Sequence, residues 1–125
     1  MNFRFARHTN NLEQLTLFYT NVLGLKILGS FENHDGYNGI FIGKVNADWH
    51  LEFTQTAETV IHSNDEDAIL VFYPTSKREY EIILGKIENQ KIEILEAKNP
   101  YWNENGKLFL DPDGYRIVLS HLKIK

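Results

Sequence analysis

The sequence predicts an α+β fold made of two βαβββ modules, with mixed β-sheet lining a cleft and the helices outside. Three observations predict it. The order strand, helix, three strands occurs twice, on either side of a polar stretch at residues 56–66. Leu12, Leu15, Phe18, Tyr19 and Val22 recur at helical spacing and stop at Gly24. The chain then closes on two short strands joined by Asp111-Pro112-Asp113-Gly114, where proline presets the bend and glycine takes positive φ. Internal repetition of this kind decides an architecture more firmly than any one element.

Each element follows from local chemistry. Phe3, Phe5 and Ala6 sit among Arg4, Arg7 and His8 in a short opening strand. Asn10 or Asn11 is the expected helix N-cap, with Glu13 and Gln14 in the first turn. Residues 25–31 read as a strand, 32–36 as a polar glycine-containing turn, 37–42 as a second strand and 49–54 as a third. After the polar stretch, residues 68–73 read as an apolar strand. Residues 77–87 carry Tyr80, Ile83, Leu84 and Ile87 at helical spacing. Residues 92–95 read as a strand, 97–104 as a loop, and 107–110 and 115–122 as the closing strands. The expected organisation is one domain over residues 1–125: module one to about residue 55, a linker at 56–66, and module two from 67.

Composition narrows the function classes. A chain of 125 residues can bury a core without covalent staples. It has no cysteine, which removes disulfides and thiolate chemistry. The formal charge is −4 and the basic residues are scattered, so no nucleic-acid footprint is expected. No apolar run resembles a signal peptide or is long enough to cross a bilayer. The expectation is a cytoplasmic protein with neither a nucleic-acid nor a membrane partner.

Three segments resemble the vicinal-oxygen-chelate (glyoxalase/bleomycin-resistance) superfamily: Phe18-Tyr19 followed by Leu23-Gly24, His50-Leu51-Glu52-Phe53, and residues 111–119 beginning Asp-Pro-Asp-Gly. Residues 31–39, 50–54 and 99–106 look more closely like its YycE-like branch, whose members have no assigned reaction. The resemblance implies a homodimer and a small organic ligand of unknown identity, bound as antibiotic-binding relatives bind theirs. It implies an alternative too: a metal-dependent lyase or dioxygenase, whose four ligands come from four strands. Carried onto this sequence, those ligand positions fall on Arg4, Glu52, Ala68 (with Asp67 beside it) and Val118. Arginine keeps its charge and valine has no donor, so the expectation is no metal and no cofactor.

The residues themselves suggest a different floor for the cleft. Arg4 and Glu52 can form a fork-shaped ion pair, with the guanidinium standing where a cation would be. His50 and Glu52 lie two apart and share a strand face. With His8 they could compose a different metal site, or each histidine simply makes local hydrogen bonds. His34 reads as a solvated turn residue, and His62 and His121 have no evident context. Tyr37, Phe53 and Tyr73 offer aromatic walls, although strand alternation sends some of these to the core. Tyr101 and Trp102, after Pro100, can stack on a planar ligand, meet another subunit, or cover the core edge. No serine elbow and no phosphate loop is present. Catalytic residues are therefore unassigned. The candidate ligand contacts are Arg4, His8, Tyr37, His50, Glu52, Tyr101 and Trp102. Binding, catalysis, and an interaction role with a vestigial cleft are the three functions left open.

Overall fold

The computed structural model describes residues 1–125. It divides into two compact units, Met1–Ile61 and His62–Lys125.

The first unit contains β1 (Phe3–His8), α1 (Leu12–Asn21), β2 (Lys26–His34), β3 (Tyr37–Gly43) and β4 (Trp49–Gln55). Its four-stranded sheet has the order β1-β4-β3-β2. β1 runs parallel to β4, and the other pairs are antiparallel. Asn11 is the N-cap of α1: its Oδ1 accepts from the Gln14 amide at 3.0 Å. Gly24, at φ +69, follows the last turn as expected. α1 buries Leu15 and Tyr19, and packs on β3 and β4, where Ile42, Leu51 and Phe53 are buried. Removing each such side chain from water is worth about 1.5–3 kcal/mol. The β2 strand runs further than its sequence suggests. Residues 32–34 stay in the strand, with a register shift between Phe31 and His34, and the turn is only Asp35 and Gly36, at φ +53 and +85. Two successive positive φ values make the tight hairpin turn that matches strand twist.

The second unit contains β5 (Ile69–Phe72), α2 (Lys77–Asn89), α3 (Pro100–Asn105), β6 (Gly106–Leu110) and β7 (Arg116–Ser120). Its sheet has the order β5-β7-β6, again with one parallel and one antiparallel pair. Ser76 caps α2 through the Glu79 amide at 3.1 Å. Two expectations fail here. Residues 92–95 form no strand; a single bridge joins Leu95 to Leu108. Past that bridge, the Asn103 side chain takes both backbone groups of Ala97, at 2.7 and 3.1 Å. Residues 97–104 are not all loop, since α3 starts at Pro100. Asn99 caps it through the Tyr101 amide at 3.1 Å, and proline at the first helical position has no amide to satisfy.

The boundary between the units falls inside the polar stretch, which is fastened at both ends. The Asn10 side-chain amide pairs with both backbone groups of Val60, at 2.8 and 2.7 Å. Beyond the boundary, His62 Nδ1 is hydrogen-bonded to the Tyr115 hydroxyl at 2.8 Å. Arg116 donates to Asn64 Oδ1 at 2.8 Å.

Candidate functional site

Strand alternation gives the first unit's sheet two unlike faces. Leu51 and Phe53 point toward α1 and are buried. The residues that alternate with them, His50, Glu52 and Thr54, lie on the opposite face. Register places Arg4 beside His50, Ala6 beside Glu52 and His8 beside Thr54. Across β4, Phe41 pairs with Glu52 and Gly39 with Thr54. The open face therefore carries Arg4, His8, His50, Glu52 and Phe41 together.

Arg4 is the centre of one cluster. Its Nε donates to His50 Nε2 at 2.9 Å, and its Nη1 lies 3.5 Å from Glu52 Oε1. The guanidinium carbon stands 5.0 Å above the centre of the Phe41 ring. Phe41 meets the His50 ring edge-on at 5.7 Å and the Phe31 ring at 5.8 Å. Phe31 lies flat across β3 because residue 39 is glycine: a Cβ there would stand 2.2 Å from the ring. The Arg4 side chain is 50% exposed and Glu52 only 14%. The carboxylate is thus largely withdrawn from water against a cation that water still reaches.

His8 forms a second cluster. Its Nδ1 is hydrogen-bonded to Thr54 Oγ1 at 2.8 Å and its Nε2 to Thr56 Oγ1 at 3.2 Å. The Tyr37 ring meets it edge-on at 5.9 Å. A cavity of about 380 Å³ opens here, walled on one side by residues 56–60.

The remaining sequence candidates are placed as follows. Trp102 packs on an aliphatic cluster of Ala97, Leu108 and Val118 in the second unit. Tyr101 is 51% exposed and touches Trp102 edge-on. Phe53 is wholly core, with the Arg7 guanidinium over its ring at 5.1 Å. Tyr73 is exposed beside Lys123. His34 is exposed beside Asp35. The sequence reading missed Phe31, Phe41, Thr54 and Thr56. Phe41 and Thr54 could have been found by counting register outward from Glu52, but Phe31 and Thr56 depend on a bulge and a turn.

These donors can be tested against a divalent cation. A ligating histidine needs a free ring lone pair, and His50 Nε2 accepts from an arginine that is always protonated. Glu52 faces the same guanidinium. Both ring nitrogens of His8 are engaged by threonines. In the second unit Val118 is fully buried among aliphatic side chains, and Asp67 stands 4.0 Å from Lys98. No three His, Asp or Glu side chains are gathered as a metal requires. As arranged, the residues do not fit a divalent cation.

Family models for the YycE-like N-terminal and C-terminal domains match residues 3–54 and 67–121. The chain belongs to the YycE-like family. The uncharacterised protein YycE of Bacillus subtilis is 40% identical over 124 residues, covering 96% of this chain and 87% of that protein. A crystal structure of a Bacillus subtilis YycE protein of unknown function superposes with a TM-score of 0.86 at 38% identity, covering 99% of this chain and 90% of that one. Two more distant solved structures share the glyoxalase/bleomycin-resistance fold with this YycE-like chain and inform on the fold alone. Leishmania major glyoxalase I has a TM-score of 0.73 at 21% identity, with 96% and 85% of the chains covered. The antibiotic-binding protein TnmS3 from Streptomyces sp. CB03234 has a TM-score of 0.67 at 18% identity, with 97% and 94% covered.

Proposed function

We propose that this YycE-like chain binds a small organic molecule on the open face of the first unit's sheet, without a metal, and that Arg4 and Glu52 organise that surface. The observation that carries the reading is the Arg4 guanidinium. It is fixed by His50, Glu52 and the Phe41 ring while half of its side chain remains in water. A cation held in this way is preorganised for an acceptor or a planar group, and it sits on an aromatic surface that supplies apolar area. The same fold serves an antibiotic-binding protein, TnmS3. The half-exposed Tyr101 is a further proposed contact of the second unit, whereas Trp102 is engaged by the core.

The proposal includes the homodimer that the resemblance implies, so the 14.6 kDa chain should sediment at twice its mass. No helix is long and apolar enough to cross a membrane, and we place the protein in the cytoplasm.

A thermal-shift screen of planar and anionic small molecules, followed by calorimetry on the hits, tests the reading. Wild type should bind a hit saturably at one site. Arg4→Ala, paired with Glu52→Gln to relieve the stranded carboxylate, should bind it at least roughly tenfold more weakly, about 1.4 kcal/mol. A folded double variant with unchanged affinity would show that the Arg4 cluster is not the binding surface.

A further inference from the structure

The His8 cavity differs in chemistry from the Arg4 cluster on the same face. Its lining includes the hydroxyl-bearing residues Tyr37, Thr54, Thr56 and Thr59, with Glu58 and Arg7 as its charged members. Arg7 contributes from the strand, but its guanidinium is held over Phe53 toward the core. With Arg7 buried against Phe53, the exposed charge in the lining is Glu58, which disfavours an anion. Hydroxyls both donate and accept, so they suit a ligand that does the same. Tyr37 adds a half-exposed ring with an apolar body and a polar tip.

The wall is built in advance. The Asn10 amide clamps Val60 through two hydrogen bonds, and the Thr56 hydroxyl accepts from the Glu58 amide at 3.2 Å while contacting His8. Residues 56–60 are thus tied at Thr56, Glu58 and Val60 without a ligand, which lowers the entropy cost of binding. A volume of about 380 Å³ is large enough for one substituted six-membered ring.

We infer that this cavity receives a neutral, hydroxyl-bearing ring, a sugar or cyclic polyol group. The inference rests on the reading of this face as a binding surface and names what its His8 end recognises. Hydroxyls of the ring exchange hydrogen bonds with the threonines, and its C–H face lies on Tyr37.

Amide-resolved NMR titration with myo-inositol and methyl glycosides tests it. Benzoate, inorganic phosphate and choline serve as the charged comparisons. Saturable shifts centred on Tyr37, Thr54 and Thr56 are expected with the neutral rings. Thr54→Val with Thr59→Val should weaken them roughly fivefold or more, the effect of about one hydrogen bond. Tyr37→Leu, at an exposed position, gives a second variant should the first not fold. Absent shifts, shifts that survive both variants, or a preference of these amides for benzoate, phosphate or choline would overturn the inference. The binding reading itself fails separately, when the Arg4→Ala, Glu52→Gln variant keeps its affinity for the screened hits.

Discussion

Arg4 decides what the open face can do, because its three neighbours all answer to a fixed positive charge. His50 Nε2 accepts from its Nε at 2.9 Å, and Glu52 Oε1 faces its Nη1 at 3.5 Å. Replacing the guanidinium with a ligand should therefore change the chemistry of the site. Arg4→His would place a third donor beside His50 and diagonal to Glu52 on adjacent strands. That variant should bind Zn or Ni measurably by calorimetry where the wild type does not. Elsewhere a single atom sets stability. Gly106 is extended, at φ −178, so glycine is there for space. An added Cβ would meet Val118 at 2.5 Å and the Leu119 carbonyl oxygen at 2.8 Å. Gly106→Ala should cost about 1–3 kcal/mol in urea unfolding, since the backbone oxygen cannot step aside. Tyr80 carries the clearest pH signature. Burial raises its phenol above the ordinary 10.0. The unfolded chain then releases this proton first as pH climbs past 10, so stability present below that pH is progressively lost above it. Tyr80→Phe should flatten the decline in melting temperature between neutral and strongly alkaline pH.

At the scale of elements, fastening of the polar stretch is the least expected feature. Asn10→Ala should cost about 1 kcal/mol and speed hydrogen exchange at Val60, while the Phe53 amide in the core keeps its protection. The sequence made the repeated strand–helix–strand order legible because apolar period and glycine stops are local signals. Gly24 and the Asp111–Gly114 turn stand where those signals put them. Side-chain mimicry of backbone pairing is not local and left no such signal. Asn103 occupies the backbone of Ala97 just past the expected strand at 92–95, and nothing in the spacing of the two announces it. The Arg4–Glu52 pair was legible from the ligand-position comparison. The Phe31 and Phe41 surface beneath it depends on glycine at 39 and 29, which alone reads as weak strand.

For the whole molecule, the two units put sheets of similar pairing, four strands in one and three in the other, to different uses. In the first, the face away from α1 is polar, aromatic and open. In the second, the face bearing Val71, Leu108 and Val118 is aliphatic and covered by Trp102. Neither face gathers three His, Asp or Glu side chains as a metal requires. The central claim, that a guanidinium occupies the role of the cation, is tested most directly by elemental analysis. The protein should be purified without chelator or affinity metal, then analysed again after incubation with Ni, Zn, Mn and Fe and desalting. The account predicts metal well below one equivalent per chain in every case. Near-stoichiometric metal that disappears in His50→Ala would contradict it, and would make His50 and Glu52 ligands with Arg4 swung aside.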